Sequence, residues 1–398
     1  RALGFALPRP WFAAGTRLAQ SGVDKYNATH REWAARPLAE DALREAAEVI
    51  RAEDRRNVVV RIGDLRMDAD GALGRKGGPP RPIEWGAWGR IYSVLQRAGV
   101  LPDGARLLAL LDPATRASVV NERIQQVDPD KEVNLGVRRS PEGGWSVYRA
   151  VSSRYPDDLR ADHVLAGTAD RVAGMGWRAE VVYDPSEVRV SFDMATMADP
   201  FALDPAVGDV FRAGVKGGTD DKGDGAFFMF PFAGRIVCIN STMLDAYAPG
   251  YRQAHRGSLA GSLDAAVEVV ETAASVLPAF TADWRTLRET DITALPWGRM
   301  VGPVAAEQIE DVPTALRALV TVGKIDHGTA RDALVTHLLT AHKAEPGNGT
   351  VADAINAVTR AAHEGLLDGI QRNTLERQAG ALVPVFASMI NGESAQAK

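Results

Sequence analysis

The chain has 398 residues, 45% hydrophobic and 24% charged, an ordinary composition for packed globular units, and at roughly 150 residues per domain it has room for two or three of them. No apolar run approaches the roughly 18 residues that cross a bilayer, and the opening RALGFALPRPWF is broken by Arg9 and Pro10, so neither a membrane span nor a signal peptide is expected. One cysteine, Cys238, excludes an internal disulfide and fits a reducing, cytoplasmic setting. The net charge of −5 hides an asymmetry: residues 1–150 hold 24 Lys and Arg against 19 Asp and Glu, and the remainder 22 against 32. A polyanion is therefore expected to meet the first part of the chain.

Residues 38–54, LAEDALREAAEVIRAED, space Leu43, Ala46, Ala47 and Ile50 at helical intervals and predict an amphipathic helix. The β-branched stretch 57–68, NVVVRIGDLRMD, predicts a strand, with turn chemistry in DADG at 68–71. GRKGGPPRP at 74–82 reads as a Gly- and Pro-rich linker. IEWGAWGRIYSVLQRAG at 83–99 returns to helical spacing and stops at Gly99, and a short helical pair follows through GARLLALL and PATRASVVNERIQQ.

Further along, the hydrophobic period changes from 3.6 to 2. WRAEVVY (177–183) sets Trp177, Ala179, Val181 and Tyr183 on one face, and EVRVSFD (187–193) does the same with Val188, Val190 and Phe192. Joined through Asp184, Pro185 and Ser186, they predict a β-hairpin. Further strands are expected at 209–216, 226–232 and 235–239, with GGTDDKGDG as a connecting loop. From 258 onward helix dominates: Leu263, Val267, Val270 and Ala274 form one core stripe, and Val351, Ile355, Val358 and Ala362 a second, with Thr350 placed to cap the latter helix. The expected fold is α+β, a central antiparallel sheet flanked by helices with a mostly helical C-terminal region. The expected units are an N-terminal arm with helix and strand at 1–82, an α+β core at 83–257, and a helical region at 258–398.

The search for chemistry is mostly negative. There is no Walker-type GxxxxGK[ST], HExxH, GxSxG or CxxC. The loop carrying Asp220, Asp221 and Asp224 has Lys222 where an EF-hand needs its third ligand, and His337 and His342 are five apart and so fall on different helix faces. No metal site and no cofactor are expected. Cys238, mid-strand in RIVCI, could pair with Arg252, His255 and Arg256 as a reactive thiol, but its apolar neighbours fit a small buried hydrophobe better. Asn240 and Ser241 would then end the strand, their side chains bonding nearby backbone.

RIVCINSTML followed by YRQAHRGSLAGSLDAAVEVVE resembles the core signature of a family of phage- and plasmid-borne proteins, domain of unknown function nine hundred thirty-two. That signature is a strand ending in Val-Cys-x-Asn-Gly, then His-Arg/Thr-Gly and an amphipathic helix. Val237, Cys238, Asn240, His255, Arg256 and Gly257 match it, and Ser241 stands where the family usually has glycine. VNERI, YRAVSSRYPDDLRADHVLAG and NGTVADAINAVTRAAHEG agree in order with other family segments, and the likeness covers roughly residues 35–370. The resemblance implies a setting in mobile-element DNA metabolism.

The residues add a physical argument for nucleic acid. On the side of the sheet opposite the apolar one, Arg178, Arg189, Arg212 and Lys216 would form a row able to follow a phosphate backbone. Arg138, Arg139, Arg154 and Tyr155, near Trp145 and Tyr148, supply the mixture of cations and aromatics that clamps single strands, and Arg252, His255 and Arg256 extend the basic set. The leading expectation is a nucleic-acid-binding protein favouring single-stranded DNA, a homo-oligomer similar by analogy to the RecT and Red-beta annealing class. The alternatives are a self-assembling phage structural protein and a metal-dependent nuclease built on His255 with Asp220, Asp221 or Asp224.

Overall fold

The computed structural model describes residues 31–392 apart from 85–86, 98, 100, 102–107, 109, 140–142, 153–158, 186–187, 198–200, 205–208, 222–225, 236–240, 245, 255–257, 323–335, 337, 341–348 and 365–368. The first amphipathic segment forms α1 (Ala39–Ala52), with Leu43, Ala47 and Ile50 buried and Ala46 packed beside them. Glu40 and Asp41 stand in its first turn and Arg51 in its last, the polarity the helix dipole favours.

The strand expected over 57–68 is two strands, β1 (Arg55–Arg61) and β2 (Leu65–Met67), parted by a 3₁₀ turn at Ile62–Asp64. The interruption comes from a neighbouring loop. The amides of Ile62 and Gly63 donate to the carbonyls of Lys131 and Pro129 at 2.7 and 3.0 Å, which draws the chain out of the ladder. The Asp68–Gly71 turn then reverses it, and β3 (Leu73–Arg75) pairs with β2, so the start of the expected linker is strand.

Helix α2 (Trp88–Arg97) begins later than its periodicity suggests because Ile83 and Glu84 are held as extended chain against β5 (Trp145–Ser152), the Glu84 amide donating to the Val147 carbonyl at 3.0 Å. Most of GARLLALL lies outside the described residues. α3 (Pro113–Ile124) starts where Asp112 accepts from the Thr115 amide at 3.0 Å, an N-cap with proline at the first helical position.

β4 (Glu132–Arg139) lies between β1 and β5 in a three-stranded antiparallel sheet. Ile91, Val120, Leu135 and Val147 share its core. The unit boundary expected at residue 82 therefore cuts through one sheet: β1 precedes it, β4 and β5 follow it, and the β1–β4 ladder runs from Arg55–Arg138 to Arg61–Glu132.

The second sheet has seven strands. β6 (Arg178–Asp184) and β7 (Arg189–Ala195) make the expected hairpin, pairing Ala179 with Met194, Val181 with Phe192 and Tyr183 with Val190. β9 (Asp209–Asp220) and β10 (Ala226–Arg235) are longer than expected. The order is β11-β10-β9-β7-β6, with β8 (Phe201–Asp204) on β9, and β11 (Ser241–Met243) and β12 (Tyr251–Ala254) on β10.

Gly217, expected in a loop, is mid-ladder because the Phe192 ring of the neighbouring strand occupies the space a side chain there would need. The strand expected at 235–239 has only Arg235, the end of β10, among the described residues; Cys238 and Asn240 lie outside them.

One face of this sheet, carrying Val190, Phe192, Val215 and Met229, packs under α1, α4 (Ala161–Val172) and α5 (Leu259–Ala273). The buried stripe of α5 is Leu263, Ala266, Val269, Val270 and Ala273; Val267 is half-buried and Ala274 exposed, a displacement of the expected stripe by about one position.

The C-terminal helices α6 (Leu277–Glu289), α7 (Val312–Val322), α8 (Val351–Glu364) and α9 (Gly369–Ile390) build a further core around Trp284, Leu316, Ile355, Val358 and Phe386, against Phe211 and Ala213 of β9. At the head of α8, Thr350 and Asp353 form a capping box: the Asp353 amide donates to Thr350 Oγ1 at 3.2 Å and the Thr350 amide to the Asp353 carboxylate at 3.1 Å. α9 lies so close to β11 that any Cβ at Gly380 would run into the Met243 carbonyl. The fold is α+β with antiparallel sheets and a mostly helical C-terminal region. No single described helix is long and apolar enough to cross a membrane.

Candidate nucleic-acid interface

At the open end of the three-stranded sheet, β1, β4 and β5 bring arginines around one aromatic ring. Trp145, the first residue of β5, is half-buried and lies cross-strand from exposed Arg139. The guanidinium of Arg56, from β1, lies 4.6 Å from the Trp145 ring centroid, and that of Arg81, from the segment paired with Leu73, lies 5.7 Å from it. Strand geometry explains the grouping, since neighbouring ladders put side chains of one face within reach of each other. Asp54 holds the Arg56 guanidinium at 3.1 and 3.2 Å. That pair occupies the Nε–Nη2 edge of Arg56, so phosphate oxygens would meet its Nη1 group and the guanidinium groups of Arg81 and Arg139, while the ring fixes the position of those lying over it.

The sequence-expected residues divide sharply. Arg139 belongs to this patch. Arg138, on the other side of β4, forms a two-point pair with Glu84 at 2.6 Å, donates to the Pro185 carbonyl and lies 5.8 Å from the Tyr148 ring centroid. Burial opposes its charge, but the hydrogen bonds and field of Glu84, helped by Glu53, outweigh this and raise its pKa. Arg138 is thus a strut between the two sheets.

Arg178 donates to the Arg36 carbonyl at 3.0 Å, and Arg189 stands 3.7 Å from Asp220. Arg252 is exposed on β12, opposite Phe228. Arg154, Tyr155, His255 and Arg256 lie outside the described residues, as do His337, His342, Lys222 and Asp224.

Arg212 and Lys216 overturn the expected cationic row. They are 2% and 3% exposed. The Lys216 ammonium lies 2.8 Å from the Glu376 carboxylate of α9 and 3.5 Å from Asp193, while the Arg377 guanidinium lies 4.4 Å from the Phe230 ring on the same side of the sheet. The face expected to be wet is covered by α9. A phosphate backbone has no access to Arg212 or Lys216 there.

A second polar cluster, missed by the sequence reading, joins the two sheets. Asp221, at the end of β9 and fully buried, accepts from Arg55 of β1 at 2.8 Å and from the Ala161 amide at the head of α4 at 2.8 Å. Arg149 of β5 donates to the Asp221 carbonyl at 2.7 Å and to Asn57 at 2.8 Å. Burial disfavours the Arg55 charge, yet the combined fields of Asp221, Tyr148, Tyr183 and Glu53 outweigh it and the pKa is raised. The α4 N-terminus adds favourable partial charge to the same carboxylate.

Tyr183 donates to Glu53 at 2.7 Å, and burial together with that bond pushes its phenol above the ordinary range. With both Asp221 oxygens engaged, this is a structural cluster. Among the described residues no group of three His, Cys, Asp or Glu side chains could hold a metal ion. No protein-family model matches the chain, and no curated protein and no solved structure matches it.

Proposed function

We propose that the protein binds nucleic acid, single-stranded DNA in the first instance, through the arginine patch around Trp145. The observation that carries this reading is the grouping of Arg56, Arg81 and Arg139 about one half-buried indole at a sheet end, on the more basic part of the chain. Guanidinium groups contact phosphates, and an indole face or a guanidinium plane gives a base a surface to stack on. A setting in mobile-element DNA metabolism, which the resemblance of RIVCINSTML and YRQAHRGSLAGSLDAAVEVVE to a phage- and plasmid-borne family would imply, is part of the same proposal.

The nuclease alternative draws no support from Asp221, whose two oxygens are held by Arg55 and the α4 amide. A fluorescence titration of labelled single-stranded and duplex oligonucleotides tests the proposal. Two to three phosphate contacts on a single strand should weaken binding roughly tenfold as salt rises from about 50 to 200 mM. Trp145→Ala should weaken it by about five- to 150-fold, in line with roughly 1–3 kcal/mol per stacked base. No binding at the lower salt, or wild-type affinity in the Trp145 variant, sinks the reading.

A further inference from the structure

The seven-stranded sheet ends at β6, and among the described residues one stretch of that edge is open. At its start, residues 37–39 cross the edge: the Ala39 amide donates to the Trp177 carbonyl at 2.9 Å and the Ala179 amide to the Pro37 carbonyl at 3.2 Å. Backbone groups alternate sides along an antiparallel strand, so the N–H and C=O groups of Val181 and Tyr183 face the same way, away from β7. Among the described residues neither makes a backbone hydrogen bond on that side.

Between this edge and α1 runs a groove of about 540 Å³, within the size range of small-ligand and short-peptide sites. Its apolar wall comes from Ala42, Ala46 and Val49 of α1 and from Val181. Glu45 and Glu180 line it as well, and Arg36 is engaged at 2.8 Å by Glu180. Val49 and Val182 are 54% and 55% exposed beside it.

We propose that this groove takes an extended peptide segment as an added strand, with small apolar side chains turned toward α1 and lysine or arginine turned toward Glu180. The backbone supplies up to four hydrogen bonds through Val181 and Tyr183, and the side-chain alternation supplies the selectivity, as in other strand-addition sites.

A second copy of β6 is a poorer occupant. The symmetric antiparallel register that uses both Val181 and Tyr183 turns on Val182 and sets Glu180 opposite Asp184 twice, and like charges directly opposite are unfavourable. The register turning on Val181 is blocked where residues 37–39 already pair with 177–179. This site is separate from the Trp145 patch and stands without the nucleic-acid reading.

The test is a fluorescence-anisotropy titration of the full chain with short labelled peptides alternating valine with lysine or valine with glutamate. Sedimentation of the protein alone runs alongside. The lysine peptide is expected to bind and the glutamate peptide not.

Val181→Pro deletes an outward N–H that β7 does not use, a position where an edge strand tolerates proline, and should weaken binding about tenfold or more. Glu45→Lys with Glu180→Lys changes only exposed side chains, so it decides the matter if the proline variant fails to fold; it should also reduce binding of the lysine peptide and favour the glutamate peptide. Absence of peptide binding, equal binding of both peptides, or wild-type binding by both variants overturns the proposal. So does a dimer dispersed by Val181→Pro, which would assign the groove to a second copy.

Discussion

The Trp145 face of the three-stranded sheet and the α9-covered stretch of the seven-stranded sheet treat their basic residues in opposite ways. On the three-stranded sheet, Arg56 and Arg139 stay at the surface beside Trp145, one held by a half-buried aspartate and the ring. On the seven-stranded sheet, Arg212 and Lys216 are buried, Lys216 under α9 and paired with Glu376. Strand alternation is the same in both. It says which residues oppose the apolar face, and nothing about whether a later segment will cover them. A basic side chain in a strand is a candidate for phosphate binding only where its own face remains open.

The sharpest way to test this contrast is to remove carboxylates from the buried set. Asp221→Ala strips Arg55 of its closest carboxylate and the α4 amide of its acceptor, leaving a buried guanidinium with only Glu53 at 3.6 Å and the Ile50 carbonyl. A loss of about 3–5 kcal/mol in denaturant unfolding is expected, with the cap adding roughly 1 kcal/mol. Glu376→Ala should cost about 3–4 kcal/mol by leaving the Lys216 ammonium buried without its closest partner, whereas Lys216→Met combined with Glu376→Leu should return close to wild type. If the single and double variants lose the same amount, the pair is not what ties α9 to the sheet. At the other end of the scale, Arg56→Ala with Arg139→Ala should change stability by no more than about 0.5 kcal/mol per site. The same double variant should lower affinity for single-stranded DNA and flatten its salt dependence. A large stability loss from that pair would turn the Trp145 patch into a structural element and remove the contrast.

Much of the fold is legible along the chain because it depends on near neighbours. The Leu43, Ala47 and Ile50 stripe, the 177–193 hairpin and the Thr350 cap all rest on spacings of a few residues. What escapes is set by distant partners. The break between β1 and β2 is imposed by residues 129–131, and the late start of α2 by the Val147 carbonyl. Gly217 reads as loop until the Phe192 ring is placed against it.

The site follows the same pattern. Arg139 and Trp145 can be picked out from one stretch of sequence, but Arg56 and Arg81 join them only after two other segments pair with that sheet. The burial of Lys216 depends on a glutamate 160 positions away. A pattern of period two carries no trace of such a partner.

The Asp221 junction also constrains how the protein is made. Its carboxylate binds Arg55, 166 positions earlier in the chain, and the amide of Ala161, 60 positions earlier. During synthesis both wait for it to leave the ribosome, so the first sheet is complete in sequence before the residue that anchors it exists. Nascent chains halted ahead of Asp221 would hold Arg55 in a half-built junction and should be cut readily by proteases. Those extended well past it should resist, marking the moment at which the two sheets become one cooperative body.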